Sequence, residues 1–290
     1  MTENNLPTLQ WFPGHMKKAQ RMIEQNLRLV DIAVELLDAR APISSANPVL
    51  GKIIAAKPRL IVLNKADLAD SSITKAWQKY FAARNLTALP IDAKNGRGVK
   101  EFIRAAAELA QPATQRLIAK GGKPRLPRLM ILGIPNVGKS SLINRLNGSV
   151  KAKTADKPGI TRDKQWIRVE KQAELLDTPG VLWPKFEDKR VGLNLALIGA
   201  IREEILPVEE TALLLLHYVG QNYPQALISR YKLSDNLPET AANLLPLIGQ
   251  KRGFLLKGGI VDTEKTARLV LTEFRAGLWG RLTLETPGEI

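Results

Sequence analysis

The segment ILGIPNVGKSSLINRL, residues 131–146, constrains the fold of this chain more than any other feature. Gly133, Gly138, Lys139 and Ser140 match the pattern G-x-x-x-x-G-K-[ST], which holds phosphate groups between a β-strand and the start of an α-helix. The apolar run RLMILG precedes the motif and a helical pattern follows it, so the context fits. The sequence therefore predicts an α/β domain that binds the phosphates of a nucleotide.

A second motif, NKAD, indicates which base accompanies the phosphates. The carboxylate of Asp67 can accept hydrogen bonds from both N1–H and the exocyclic amine of guanine, a pair of donors that adenine lacks. Lys65 is predicted to lie over the base, and Asn64 to tie this loop to the phosphate loop. The Ala93 and Lys94 amides, in IDAKNGRG, are predicted to face the guanine oxygen. A polar turn ending a strand is the alternative, which the neighbouring phosphate loop disfavours.

On the phosphate side, Lys139 is predicted to reach the β- and γ-phosphates, and Ser140 to bind Mg²⁺. The backbone N–H groups of the loop and the following helix N-terminus favour negative charge. The residues predicted to contact phosphate are Pro135, Asn136, Val137, Gly138, Lys139, Ser140, Ser141, Thr161 and Gly180.

Two further segments carry residues expected to sense the γ-phosphate. Asp177, in DTPG, is predicted to help hold Mg²⁺ through a water, and the Gly180 amide to contact the γ-phosphate. Thr161, in TADKPGIT, is our choice to complete the Mg²⁺ coordination, and Thr154 is the alternative. Thr161 could instead simply begin a strand after a Pro-Gly turn.

The charge of the chain favours a partner that is a polyanion. The formal net charge is +15, and residues 1–206 hold 34 Lys and Arg against 19 Asp and Glu, while residues 207–290 hold 9 against 9. Such a field attracts nucleic acid or an anionic membrane surface, although charge that only keeps a surface soluble is the alternative. The chain has no Cys, which excludes disulfides, thiolate metal sites and Cys nucleophiles.

Strand-like and helical segments alternate in the first two thirds of the chain, which favours a mostly parallel sheet with helices on both faces. A Pro- and Gly-containing linker is predicted at about 111–128, after a helix at 98–110. The remainder is predicted to be helical. We expect two domains, at residues 1–204 and 205–290. Strands are expected at 31–38, 59–64, 88–92, 128–133, 165–170 and 173–177, and the other helices at 15–29, 71–84, 139–147, 207–218, 222–231, 238–249 and 263–276.

The motifs together resemble one family. WFPGHMKKA, DARAP, NKAD, GIPNVGKSSLIN, KPGIT, LLDTPG, LALIGAI and GQKRGFLLKGG span nearly the whole chain and resemble the ribosome biogenesis GTPase A family. The resemblance implies a circularly permuted P-loop GTPase domain followed by a smaller all-helical domain that contacts RNA and the ribosome. In the permuted order the base-reading loops precede the phosphate-reading loops, and the segment at 177–190 leads directly into the helical domain. A γ-phosphate contact there is hypothesised to reposition that domain.

The resemblance also implies the ligands and partners. These are GTP and GDP, Mg²⁺, K⁺, and the precursor of the large ribosomal subunit with its rRNA and ribosomal proteins. We expect a monomer. We also expect a cytoplasmic protein without membrane association, because no leader pattern opens the chain and no apolar run approaches the ~20 residues that span a bilayer. The residues assigned to RNA are Lys17, Lys18, Arg21, Lys151, Lys153, Lys251, Arg252 and Lys257.

The sequence departs from the Ras-like pattern at Val181, which stands where those enzymes place the glutamine that orients the attacking water. We therefore expect slow turnover without the ribosomal partner. His15, in a Pro-Gly-His turn, could supply the missing group, or could instead be a surface or RNA-binding residue. Asn136 resembles the residue that coordinates K⁺ in related GTPases, or it could simply cap its own turn.

The alternative functions belong to other classes. A nucleotide-gated RNA-binding scaffold with little hydrolysis would share these motifs, and Val181 favours it. An ATP-dependent phosphotransferase would share the phosphate loop, but NKAD disfavours it. A GTPase acting at a membrane surface is weaker still, because no amphipathic helix stands out.

Overall fold

The structure is a computed structural model that describes residues 16–147, 166–169, 173–176, 188–201, 203 and 206–289. Its strands are β1 Ile32–Asp38, β2 Arg59–Asn64, β3 Thr87–Ile91, β4 Arg128–Gly133, β5 Trp166–Val169 and β6 Ala173–Leu176. Its helices are α1 Met16–Leu27, α2 Pro42–Ser45, α3 Pro48–Ile54, α4 Ser71–Ala82, α5 Val99–Ala119, α6 Lys139–Leu146, α7 Lys189–Leu197, α8 Val208–Asn222, α9 Pro224–Tyr231, α10 Ala241–Lys251 and α11 Thr263–Arg275.

The strands of the described residues form one sheet in the order β3-β2-β1-β4-β6-β5. All neighbouring pairs are parallel except β5 and β6, which are antiparallel. This arrangement confirms the predicted fold class. Because the parallel strands run in one direction, the loops that follow β1, β2, β3 and β4 all leave the sheet at the same edge.

Both faces of the sheet are buried, as expected when helices cover a parallel sheet. On one face, α1 and α3 pack on β1, β4 and β6, and α4 packs beside them through Trp77 and Phe81. The alternate residues of β1, including Val34 and Leu36, are also fully buried. They face the opposite side, where α5 packs against β1, β2 and β3 and α6 packs against β4.

Polar residues fix where several of these helices begin. Asn47 accepts hydrogen bonds from the Val49 and Leu50 amides at the start of α3, and Asp70 accepts from Ser72 and Ile73 at the start of α4. Such caps satisfy backbone N–H groups that lack partners within the helix. The first turn of α4 is thereby placed directly after the NKAD loop.

The prediction of an irregular linker from residue 111 is wrong for its first part, because α5 continues through Ala119. Pro112 lies inside this 21-residue helix. A proline removes one backbone hydrogen bond and disfavours the helical conformation, which is why the sequence pattern suggested an end there. Apolar burial of Phe102, Ala106 and Ala110 anchors the first half of the helix. The helix ends at Ala119, and Gly121 two residues later has a positive φ of 78°.

The chain divides into two compact units. Among described residues the first unit contains 16–176 with 283–289, and the second contains 188–282. The second unit is helical, as predicted. Its start differs from the expected boundary at 204–205 because α7 packs against α8 and α11, and Arg275 donates hydrogen bonds to the Ala196 and Leu197 carbonyl oxygens at 2.9 and 3.2 Å.

The tail at 283–289 also departs from the expected domain 205–290, because it packs on the first unit. Among the described residues, no helix is both long enough and apolar enough to span a membrane.

Candidate nucleotide-binding site

The loops that sequence analysis assigned to a nucleotide meet at the edge of the sheet where the parallel strands end. NKAD follows β2, IDAKNGRG follows β3, and the phosphate loop follows β4. In the sheet order, β1 lies between β2 and β4, so the loop DARAP after β1 stands between the base-reading and phosphate-reading loops. Crevices beyond the carboxyl ends of parallel strands are where open α/β sheets bind ligands.

Asn64 joins all three nucleotide loops. Its side chain is 2 % exposed, and Nδ2 donates a hydrogen bond to the Val137 carbonyl oxygen at 2.8 Å in the phosphate loop. Its Oδ1 accepts a hydrogen bond from the Ala93 amide at 3.1 Å. The tie between NKAD and the phosphate loop is therefore present as predicted. A buried amide with donors and acceptors satisfied holds the three loops in one arrangement.

This bond also corrects the role expected for Ala93. Its N–H donates to Asn64, so it does not face a guanine oxygen in this arrangement. Lys94 follows with an exposed side chain. The turn is shaped by Asp92, whose carboxylate accepts hydrogen bonds from the Asn95 amide and side chain at 2.9 and 2.7 Å. The Lys94 amide stays a prediction for the contact with the base oxygen.

The phosphate loop has the shape that its motif predicts. Gly138 has φ of 100°, which is left-handed backbone, and a Cβ there would collide with the side-chain Nδ2 of Asn64. Lys139 starts α6 and is largely buried, and its Nζ donates to the Gly133 and Ile134 carbonyl oxygens at 3.0 and 2.7 Å. The ammonium group therefore lies inside the loop, where it can attract phosphate oxygens.

Other predicted phosphate residues lie on the same loop. Ser140 and Ser141 are exposed in the first turn of α6, and Asn136 is exposed with φ of 58°. Val137 is buried and turns its carbonyl oxygen to Asn64, while Pro135 is partly buried.

Arg145, which sequence analysis did not single out, adds a second contact between the nucleotide loops. This residue of α6 donates hydrogen bonds to the Lys94 carbonyl oxygen and, at 3.5 Å, to the Ala93 carbonyl oxygen. Because α6 starts in the phosphate loop, Arg145 links the phosphate-binding helix to the second base-reading loop. The only sequence signal was a basic residue about 1.7 helical turns beyond Lys139.

Lys65 is held by an ion cluster that sequence analysis also missed. Its Nζ lies 3.0 Å from Asp38 Oδ2, and Asp38 is fully buried at the end of β1. Arg40 is 1 % exposed and binds the same carboxylate through Nε and Nη2, each at 2.9 Å. Both Asp38 and Arg40 belong to DARAP, which carried the family resemblance but received no role.

The charge state of this cluster is fixed by its neighbours. Burial opposes ionisation of Asp38, but the charges of Arg40 and Lys65 and their hydrogen bonds outweigh it and hold the pKa of the carboxyl well below its ordinary value. Asp38 is therefore an anion at neutral pH. It fixes the Lys65 side chain beside the position predicted for the base.

Several predicted site residues lie outside the described residues. They are His15, Lys151, Lys153, Thr154, Thr161, Asp177, Gly180 and Val181. Of the expected Mg²⁺ ligands, Ser140 is described, and its exposed hydroxyl at the phosphate-loop end of α6 fits that role. No cluster of three His, Cys, Asp or Glu side chains that could hold a metal occurs in the described part of the chain.

The residues assigned to RNA divide into two groups. Arg252 is partly buried and pairs with Glu273 at 3.1 Å, and it lies 5.2 Å from the centre of the Tyr231 ring. Arg230 pairs with the same carboxylate at 2.6 Å. By contrast Lys251, Lys257 and Arg21 have exposed side chains, while the side chains of Lys17 and Lys18 are not among those described.

An apolar loop accompanies the exposed lysines of the second unit. Leu255, Leu256 and Ile260 are 53, 56 and 66 % exposed, and they surround a turn formed by Lys257, Gly258 and Gly259. The turn is closed by a hydrogen bond from the Leu256 amide to the Ile260 carbonyl oxygen at 2.7 Å. We call residues 255–260 the apolar loop. Exposed apolar side chains grouped in this way are typical of a contact surface.

Comparison with known proteins agrees with this geometry. A family model described as "50S ribosome-binding GTPase" matches residues 128–242. "Ribosome biogenesis GTPase A" of Bacillus cereus is 50 % identical over 281 residues, which cover 97 % of this chain and 95 % of that protein. The protein of the same name from Thermotoga maritima is 32 % identical over 282 residues, covering 97 % and 96 %.

A solved structure is similar over nearly the same length. The GNP-bound structure of YlqF from T. maritima has a TM-score of 0.64 and 28 % sequence identity, and the match covers 94 % of this chain and 100 % of that one. The GDP-bound structure of T. maritima YlqF also has a TM-score of 0.64. The order of motifs along the chain and the order of strands in the sheet are thus those of a circularly permuted GTPase.

Proposed function

The chain belongs to the ribosome biogenesis GTPase A family, and from that premise we propose that it is a GTP-hydrolysing switch in late assembly of the large ribosomal subunit. In this proposal the subunit stimulates turnover. The observation that carries the nucleotide part is Asn64, which bonds the phosphate loop on one side and the second base-reading loop on the other. A ligand that carries a base as well as phosphate groups fits a site where these loops are joined.

We assign the parts of GTP to the loops as follows. Asp67 accepts the hydrogen bonds of the guanine edge, Lys65 lies over the ring and the Lys94 amide faces the base oxygen. Lys139 binds the β- and γ-phosphates. Ser140 and the predicted Thr161 would bind Mg²⁺, with the predicted Asp177 holding it through a water, and the ion would neutralise phosphate charge.

Catalysis needs a group in place of the absent glutamine. We propose that either His15 or a K⁺ ion held by Asn136 supplies it, with the Gly180 amide at the γ-phosphate. The exposed, left-handed position of Asn136 in the phosphate loop supports the K⁺ route. Replacing K⁺ by Na⁺ at constant ionic strength should slow hydrolysis if that route is used.

We propose that ribosomal RNA and protein are bound by different features. Phosphate attraction comes mainly from basic residues of the first unit and its loops, among them Arg21, Lys151 and Lys153. In the second unit, Lys251 precedes the apolar loop and Lys257 lies within it, and the exposed apolar side chains of this loop favour close contact more than charge. Arg252 contributes less than predicted, because Glu273 already binds it.

The deciding experiment measures steady-state GTP hydrolysis in potassium buffer, with and without purified large ribosomal subunits. Small subunits serve as the polyanion control, and Lys139→Ala corrects for contaminating GTPases. Stimulation by the large subunit alone supports the switch. Equal stimulation by both subunits, or none, would refute it.

A nucleotide-gated scaffold with little hydrolysis is the second candidate, and Val181 is the observation that favours it. The two candidates differ in one result. A scaffold binds the large subunit more tightly with GTP than with GDP, yet a single-turnover assay on the subunit shows hydrolysis no faster than in its absence.

Guanine selection by Asp67 can be tested by Asp67→Asn. Asparagine offers an N–H donor, which suits the C2 carbonyl of xanthine and not the amine of guanine. We expect GTP affinity to fall about 100-fold and preference to shift towards XTP, because a polar site left unmatched discriminates strongly. The measurement is competition against a fluorescent nucleotide, and retained GTP preference would remove Asp67 from the base site.

A further inference from the structure

The C-terminal tail, residues 283–286, bonds to the loop that follows β1. The Leu284 amide donates a hydrogen bond to the Arg40 carbonyl oxygen at 2.7 Å. The Glu285 carboxylate accepts hydrogen bonds from the backbone amide of Ser44, at 3.0 Å, and from its hydroxyl. Glu285 is 9 % exposed. Because a buried carboxylate is costly unless it is hydrogen-bonded, these contacts fix the tail firmly in place.

The same tail also bonds to Asp70, shortly after the NKAD loop, and to α4. The Asp70 amide donates to Thr283 Oγ1 at 3.0 Å, and Asp70 caps α4 three residues after Asp67. The indole Nε1 of Trp77, a fully buried residue of α4, donates to the Glu285 carbonyl oxygen at 3.0 Å. The tail therefore holds both α4 and the residue that caps the start of that helix.

A continuous set of contacts leads from the tail to Lys65. Leu284 holds the Arg40 backbone, and the Arg40 side chain and backbone amide both bind Asp38. Asp38 in turn binds the Lys65 ammonium group. Lys65 itself has φ of 58°, a left-handed conformation that a side-chain-bearing residue adopts at a cost. Such a position persists when surrounding contacts hold it.

We propose that the C-terminal tail is a positioning element for guanine recognition. It fixes Arg40, which reaches Lys65 through Asp38, and Asp70, which lies three residues after Asp67, and thereby holds Lys65 and Asp67 in register with the base. The inference rests on the proposed guanine site. None of these residues except Lys65 and Asp67 was assigned a role by the motifs.

The test compares affinities for GDP and IDP. The hypoxanthine base of IDP lacks the exocyclic amine from which Asp67 is proposed to accept a hydrogen bond. Glu285→Ala and Thr283→Val each remove one side of the clamp, and truncation after Leu282 removes the whole tail. Glu264→Ala is the matched control, because it removes the same charge from an exposed pair with Arg268.

We expect Glu285→Ala to weaken GDP binding about tenfold and to reduce the preference for GDP over IDP about threefold, since small displacements of positioning groups have effects of this size. Glu264→Ala should leave both unchanged. The point variants keep the test decisive even if the truncated chain does not fold. Full GDP preference in a folded Glu285→Ala, Thr283→Val double variant would overturn the proposal.

A second comparison separates positioning from a general loss of stability. In a Lys65→Met background, removing Glu285 should change GDP affinity less than twofold, because a contact that acts through Lys65 has little left to act on. Additive losses would show that the tail does not act through Lys65 and would overturn that link. If the wild type itself does not prefer GDP to IDP, the proposed guanine site fails, which is a different result from failure of the tail.

Discussion

Each of the two units contains a buried carboxylate bound by cationic side chains, but the two clusters differ in what they hold. In the first unit, Asp38 binds Arg40 and Lys65, and Lys65 belongs to the predicted base site. In the second unit, Glu273 binds Arg230 and Arg252, and Arg252 is one of the residues that the sequence assigned to RNA. One cluster thus orients a side chain that is predicted to contact the base, while the other pairs two partly exposed arginines with a buried carboxylate.

The comparison shows that charge type and spacing alone do not reveal a site. Arg40 is 1 % exposed, whereas the arginines bound to Glu273 are each 31 % exposed. Arg40 and Asp38 of the first cluster depend entirely on internal pairing, but the arginines of the second cluster can exchange a lost partner for water. This difference sets the size of the effects expected below.

The largest effect is expected for Asp38→Ala, which leaves the buried Arg40 guanidinium without its carboxylate. Breaking such a pair costs about 3–5 kcal/mol of unfolding free energy. Hydrogen exchange of the β1 and β2 amides should report it. The exposed pair of Arg104 and Glu108 supplies the control, since Glu108→Gln should cost less than about 0.5 kcal/mol.

A smaller loss is expected for Glu273→Ala. Because Arg230 and Arg252 can regain water, we expect a loss of about 1–3 kcal/mol in unfolding free energy. Faster hydrogen exchange should be confined to the amides of α9, α10 and α11. A loss as large as that of Asp38→Ala would remove the distinction between the clusters.

Acid should weaken the clusters at different pH values. Burial opposes ionisation of Glu273, but the hydrogen bonds from Arg230 and Tyr231 and the charges of both arginines outweigh it and lower its pKa from 4.5. The pKa of Asp38 is lowered from 3.8. A lowered pKa gives stability that is complete above the unfolded value and is lost as the pH falls below it. The advantage of wild type over Glu273→Gln should shrink from about pH 4.5 and that over Asp38→Asn from about 3.8, measured by urea unfolding. A constant difference down to pH 3 would contradict this.

The smallest effect separates Lys257 from Arg252 in RNA binding. Lys257→Ala should reduce the slope of log affinity against log salt by about one, because one phosphate contact is lost. Arg252→Ala should leave the slope nearly unchanged and lower stability instead. Equal changes in slope would show that Arg252 leaves Glu273 to bind RNA.

Local sequence patterns determined the fold class and the nucleotide loops. The phosphate loop, NKAD and the apolar strands were predictable because each depends on residues adjacent in sequence, such as Gly138 with its left-handed backbone. The end of α5 was not, because burial of Ala106 and Ala110 against the sheet supports a helix that Pro112 alone would disfavour.

Tertiary structure alone decided the rest. Arg145 meets Lys94 across 51 residues, and Glu285 meets Ser44 across 241, so no window of sequence could pair them. Likewise, Arg252 and Lys257 have the same charge in the sequence, but only the packing of α10 and α11 places Glu273 beside one of them. The charge of a residue and the presence of a motif can be read from neighbouring residues. The partner of each charged or polar side chain depends instead on which distant segments the core brings together.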